Sequence, residues 1–191
     1  PKPIVNTITP QTICSGDSTT AVSLTSNLTY VTCTWSSSSE GVTGATASGG
    51  TGSTGNNIPS QKLTTTGAAV GTVTYTITPS YAFCYGPTSS FVVTVNPKPT
   101  VNPIDEQTIC SGASTIAVSL TSNTPGTTYS WSSFSEGVTG ATVSGTGDIP
   151  SETLTATGTT AGRVTYTIIP SFYDSTKGLT CSGESYNFVV H

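Results

Sequence analysis

Gly71–Ile77 reads GTVTYTI. Val73, Tyr75 and Ile77 fall on one side of this run, and Thr72, Thr74 and Thr76 on the other. That period of two is the signature of a β-strand with one buried and one wetted face. VTYTI stands again at Val164–Ile168, and the same phase puts Val164, Tyr166 and Ile168 on the inner face. The two runs belong to a repeat that spans the chain.

QTICSG at Gln11 returns at Gln107, AVSLTSN at Ala21 returns at Ala117, and SEGVTGAT at Ser39 returns at Ser135. Trp35 matches Trp131, and PKP at Pro1 matches PKP at Pro97. The offset changes only where SGGTGSTGNNIP in the first copy shortens to SGTGDIP in the second, and where PSYAFCYG lengthens to PSFYDSTKGLTCSG. Length changes confined to Gly/Ser-rich or polar stretches mark surface loops on a shared scaffold. The copies divide as 1–96 and 97–191. In the first, strands are expected near Ile4–Ile8, Ala21–Ser26, Tyr30–Ser36, Gln61–Thr65, Thr72–Thr78 and Ser90–Val95, with a weaker one at Thr43–Ser48. About seven short strands in roughly 95 residues, with a Trp on the third, is the pattern of an immunoglobulin-like sandwich. Trp35, Trp131, Tyr75 and Tyr166 are expected in the two cores. VNPKPTV between the copies favours a stiff, extended join. The fold class is therefore all-β: two tandem immunoglobulin-like β-sandwich domains arranged end to end.

Composition agrees with an all-β chain. Only 7% of the 191 residues are charged and Met is absent, while 20 Gly and 12 Pro supply turns. Thr, Val, Ile and Tyr suit a pleated, half-buried surface. Five Lys and Arg in all give no basic patch for phosphates, so nucleic acid is not expected as a partner. No apolar run approaches the roughly 20 residues of a membrane helix, so membrane insertion is not expected either. Pro1-Lys2-Pro3 is a poor opening for a signal peptide, and the chain reads as a piece of something longer.

The repeat also sorts the five cysteines. Cys14 is equivalent to Cys110 and Cys84 to Cys181, whereas Cys33 aligns with Tyr129. The pairing that respects the repeat is Cys14–Cys84 and Cys110–Cys181. The first bridge would close a loop of about 70 residues, worth roughly 4 kcal/mol in the chain-entropy model. Disulfides imply an oxidising, extracytoplasmic compartment. Zinc is the rival for these cysteines, but there is no CxxC and a single histidine, His191. Cys33 reads as a free thiol buried beside Trp35.

No catalytic constellation assembles. His191 is the last residue, reads as the stub of a tag, and leaves any Ser or Cys nucleophile without a base. Glu40 and Glu136 are the one acid shared by the copies, and their SEGVTG setting reads as a solvated turn. SGGTGSTGNN lacks the Lys of a phosphate loop. The second copy is acidic, with three basic and seven acidic residues, while the first nets zero. Only Asp105-Glu106 clusters, too little for calcium. No metal, cofactor or catalytic residue is expected. Tyr81, Phe83 and Tyr85, with Phe172 and Tyr173, are better surface-contact candidates than the tryptophans.

The elements P-x-P…ICSG, W-S, G-x-VTYTI-P and C-x-G-x-x-x-x-F-V-V resemble the PKD-like and immunoglobulin-like repeats of very large Bacteroidota surface proteins. Those include gliding-motility adhesins exported by type IX secretion. The resemblance covers both copies nearly end to end and brings no catalytic residue with it. It implies a secreted, outer-membrane-associated stalk or adhesion module at the cell surface. Its partners would be adjacent repeats of the same chain and surface polysaccharide or host and substratum glycans, with the module itself monomeric. It further implies O-glycosylation at the two DST motifs, on Ser18 and Ser175. The rival reading is a carbohydrate-binding accessory module of a secreted enzyme.

Overall fold

A computed structural model describes residues 1–50 and 56–191. The middle of the Gly-rich loop weighed above as a phosphate loop, 51–55, lies outside the described residues. The chain forms two compact units, Pro1–Pro97 and Lys98–His191. Every regular element among the described residues is β.

In the first unit the main sheet runs Gln11–Cys14, Ser89–Asn96, Gly71–Tyr81, Thr32–Glu40, Ser48–Gly49, and Cys84–Tyr85 also pairs with Gly71–Tyr81. The first pairing is parallel and the others are antiparallel. The opposing layer is built of short pairs: Val22–Ser23 with Asn57–Ile58, and Val42–Thr43 with Thr64–Thr65. In the second unit Thr127–Glu136, Arg163–Asp174 and Tyr186–Val190 repeat the central strands, with Ser144–Thr146 and Leu179–Ser182 at their flanks. Each unit is an immunoglobulin-like β-sandwich.

The GTVTYTI run is central because its inner face feeds the core. Val73, Tyr75 and Ile77 are buried against Trp35, Leu63, Ile58, Phe91 and Val93. Trp35 meets Tyr75 edge-on at 5.7 Å, and Tyr75 stacks on Phe91 at 5.0 Å. Trp131, Tyr166 and Phe188 repeat the arrangement, with centroids 5.8 and 5.7 Å apart. Each such ring pair contributes about 0.5–1.5 kcal/mol beyond the area it buries. Glycine is required under both tryptophans. A Cβ at Gly49 would sit 2.6 Å from Trp35 Cζ2, and one at Gly145 would sit 2.3 Å from Trp131 Cζ2.

The N-terminal segment departs from the sequence expectation. Ile4–Ile8 is no strand; Val5 makes one bridge to Ser26. Past Pro10, which has no N–H to give a ladder, the chain crosses to the other layer. There Gln11–Cys14 pairs parallel with the last strand, in register from Gln11↔Val93 to Cys14↔Asn96. The second unit repeats this crossing with a parallel bridge Gln107↔Val190 and a bond from Ile109 N–H to the His191 carbonyl at 2.8 Å.

Candidate functional site

Each unit has a leading end, where the chain enters, and a trailing end, where it leaves. The leading end of the first unit is fixed by Gly86, where a Cβ would lie 1.9 Å from the Pro3 carbonyl oxygen. Gly183 does the same against Pro99 in the second unit, at 1.7 Å. Cys84 and Cys181 lie two residues before these glycines, and so stand at the leading ends. Cys14, opposite Asn96, and Cys110, one residue after the bond from Ile109 to His191, stand at the trailing ends.

That placement corrects the expected disulfides. Cys84 and Cys110 are exposed free thiols, so neither Cys14–Cys84 nor Cys110–Cys181 forms. The reason is register. Val95, beside Cys14's partner Asn96, pairs with Gly71, whereas Cys84 pairs with Tyr81 at the far end of the same strand. Ten residues at about 3.3 Å each separate the two levels by roughly 30 Å. In the second unit Val190 pairs with Val164 and Cys181 with Phe172, again more than about 25 Å apart. A disulfide needs Cα atoms within about 7 Å. Cys14 and Cys181 are both disulfide-bonded and buried. Cys33 is a free thiol with no exposed surface, and burial pushes its pKa up.

The leading end of the first unit carries exposed aromatics. Tyr81-Ala82-Phe83-Cys84 closes a tight hairpin whose central residues Ala82 and Phe83 have φ of 47° and 66°. Such two-residue turns normally take Gly or Asn, and a left-handed non-glycine residue costs about 1–2 kcal/mol. Phe83 is fully exposed and Tyr85 is 70% exposed. In the second unit the corresponding hairpin is longer; Phe172 is half-buried and Tyr173 exposed. At the trailing end of the second unit, a groove of about 300 Å³ with a mixed lining opens beside Cys110, with Ser111, Thr159, Thr160 and His191 on its polar side. Ile109, Val138, Leu154, Ala156 and Val190 line it.

The remaining predicted residues separate into core and surface. Trp35, Trp131, Tyr75 and Tyr166 are buried. Trp35 Nε1 donates to the Asn57 carbonyl at 3.2 Å. Trp131 Nε1 is buried without a partner. Glu40 and Glu136 are exposed, and Glu136 accepts from Arg163 Nε across the strand pair. Ser18 and Ser175 are exposed. Ser175 lies in a turn where Asp174 Oδ1 accepts from both Thr176 N–H and Thr176 Oγ1. Among the described residues no three His, Cys, Asp or Glu side chains converge as metal ligands, and no helix is long and apolar enough to cross a membrane.

One buried polar pair has no forerunner in the sequence reading. Gln61 is buried and accepts from Tyr75 Oη at 3.1 Å and from Thr46 N–H at 2.7 Å. Glu152 stands in its place in the second unit, accepting from Tyr166 Oη and from Thr142 N–H. Burial first, then the bond to Glu152 and its charge, raises the Tyr166 pKa; burial alone raises that of Tyr75. Both hydroxyls stay protonated at neutral pH, and these pairs tie the two layers together. The signal for them was an outer-layer polar residue at equivalent places, Gln in one copy and Glu in the other, before a shared Leu.

The family model for the PKD-like domain matches the chain twice, over residues 11–99 and 107–191. A comparison with curated proteins finds no match.

Proposed function

From the chain's membership of the PKD-like domain family, to which both its repeats belong, we propose that it is a load-bearing spacer of a cell-surface adhesin. Domains of this family are typically extracellular structural modules, and a disulfide fits a compartment outside the cytoplasm. The observation that carries the mechanical reading is the parallel pairing of first and last strands in both units. Tension on the ends of a unit pulls these two strands in opposite directions along their length. The hydrogen bonds between them lie across the load and must break together rather than one at a time.

On this reading the parent protein is secreted to the cell surface and held at the outer membrane, as in the Bacteroidota gliding-motility adhesins that the sequence resembles. The repeats set adhesive parts away from the membrane and meet surface polysaccharide or glycans of a host or substratum. Glycans on Ser18 and Ser175, both exposed, would shield the module from proteases. Antibodies against the chain should label intact cells of the natural host. Intact-mass analysis of the native protein should show added hexose at the DST motifs. Labelling only after lysis would remove the surface assignment, and an unmodified native mass would remove the glycans.

The exposed Tyr30, Tyr81, Phe83 and Tyr85 give the carbohydrate-binding alternative its footing, since sugars stack on exposed rings. A glycan array separates the two: retention of one oligosaccharide, lost in Tyr85→Ala, favours the accessory module.

A further inference from the structure

We propose that the outward face of the second unit's main sheet binds a neutral oligosaccharide, which stacks on Phe134 and hydrogen-bonds to Arg163, Glu136 and Asn187. The observation that carries it is a concerted difference between the repeats. The central strands turn the same residues to the core, Val73, Tyr75 and Ile77 in one unit and Val164, Tyr166 and Ile168 in the other. Their outward faces diverge. Ser38 of the first unit becomes Phe134 in the second, Thr72 becomes Arg163 and Ser90 becomes Asn187. Around these changes Glu40, Thr74 and Thr76 keep their identity as Glu136, Thr165 and Thr167.

Register gathers the three changes into one patch. Phe134 stands opposite Thr165, and Thr165 opposite Val189. One row to one side Glu136 faces Arg163, and one row to the other Ser132 faces Thr167, which faces Asn187. The first unit has the same register, with Ser38 opposite Thr74, Glu40 opposite Thr72 and Thr76 opposite Ser90. With strands about 4.8 Å apart and residues rising about 3.3 Å along each, the patch measures roughly 10 by 13 Å. Phe134 is 66% exposed, and Glu136, Arg163 and Asn187 are exposed as well. One exposed apolar side chain is ordinary on a protein surface. A ring that arrives together with a guanidinium and an amide, in one patch of an otherwise duplicated sheet, is a site placed on a shared fold.

The polar groups are fixed and still have bonds to give. Arg163 Nε donates to Glu136 Oε2 at 2.5 Å. Among the described residues the Nη groups of Arg163 and Oε1 of Glu136 have no partner. Thr167 Oγ1 donates to Asn187 Oδ1 at 3.1 Å, which orients the amide and leaves Nδ2 as a donor. Planar donors and an acceptor around an apolar ring match the hydroxyl rim and C–H face of a sugar. Charge selects a neutral one. The Arg163–Glu136 pair cancels itself, and the unit carries three basic and seven acidic residues, which repel a polyanion. A protein partner would draw its affinity from a cluster of buried anchors, whereas the single ring here is set among the hydroxyls of Ser132, Thr165 and Thr167.

The inference rests on the glycan contact in the spacer reading and says where that contact is made; its failure leaves the force response of each unit untouched. The test is affinity electrophoresis of the whole chain through gels holding laminarin, hydroxyethylcellulose, galactomannan or xylan, with alginate as the anionic control. The expected result is retardation by at least one neutral polymer and none by alginate. Phe134→Ser, which gives the position the first unit's residue, should weaken retention about tenfold. Arg163→Thr and Asn187→Ser should each weaken it as well, and Tyr85→Ala should leave it unchanged. Adding Ser38→Phe, Thr72→Arg and Ser90→Asn together to the Phe134→Ser chain should bring retention back, now on the first unit. Free migration of the wild type in every neutral gel, or loss of retention in Tyr85→Ala, would overturn the proposal. So would a Phe134→Ser chain that melts lower but migrates as the wild type does, since the ring would then serve cross-strand packing alone.

Discussion

Replacing the two core tryptophans with phenylalanine should separate the repeats, although both rings occupy the same place in the fold. The apolar loss is shared, since Trp35 and Trp131 are buried to within 1% of each other, at 4% and 5% exposed. The indole nitrogen distinguishes them. Trp35→Phe removes the bond from Nε1 to the Asn57 carbonyl, a loss of about 1 kcal/mol. Trp131→Phe removes a buried N–H with no partner and so returns at least about 1 kcal/mol of desolvation cost. Trp35→Phe should therefore destabilise its unit by about 2 kcal/mol more than Trp131→Phe destabilises its own. Hydrogen exchange of the innermost strands reads this directly, because their amides exchange only when the unit opens. Relative to wild type, Gly71–Tyr81 in Trp35→Phe should lose about 30-fold more protection than Arg163–Asp174 in Trp131→Phe. Equal losses in the two strands would refute the assignment of different hydrogen-bond status to the two indoles.

Alkaline pH should unfold the protein from the core outward. Tyr75 and Tyr166 have folded pKa values above the ordinary tyrosine value of about 10. Their contribution is complete below pH 10 and is lost as pH rises towards the folded values. Above pH 10, urea denaturation should show stability falling, by at most about 1.4 kcal/mol per pH unit for each tyrosine still protonated in the fold; a flat profile to pH 12 would contradict the buried hydroxyls. A thiol reagent on the native chain should label Cys84 and Cys110 at once and Cys33 only after denaturation, since Cys33 is fully buried with a raised pKa; prompt labelling of Cys33 would contradict its place beneath Trp35. Gly49→Ala and Gly145→Ala should each cost about 1–3 kcal/mol by driving a methyl into the indole above, seen as a melting point lowered by about 4–8 °C per kcal/mol.

The sequence made the repeated sandwich legible because its strongest signals are local. Alternation in GTVTYTI placed Val73, Tyr75 and Ile77, and the repeat carried that placement to Val164, Tyr166 and Ile168. The strand Gln11–Cys14 escaped because it alternates weakly and earns its place by pairing with residues some 80 positions away. The short outer layer was legible in place but not in length: Val22–Ser23 and Thr64–Thr65 lie inside the expected strands Ala21–Ser26 and Gln61–Thr65, but pair over two residues only, and buried contacts of Leu24 and Leu63 hold the rest. Internal alignment established which cysteines are equivalent, but not whether the two in one repeat lie close enough to bond. Register decides, because it sends the two cysteines of each unit to opposite ends. The turn at Ala82-Phe83 was hidden by residues that seldom take positive φ.

The mechanical reading rests on the parallel terminal strands, and pulling the chain by its two ends tests it most directly. In reducing buffer, so that no disulfide shortens the trace, the account predicts two separate high-force unfolding events. Each should release roughly 300 Å of chain, the extended length of about 90 residues. Ile13→Pro, which removes one donor from the Gln11–Cys14 pairing, should lower the force of one event and leave the other unchanged. Two units that yield gradually at low force, or an Ile13→Pro chain as resistant as the wild type, would contradict the claim that these strands carry the load.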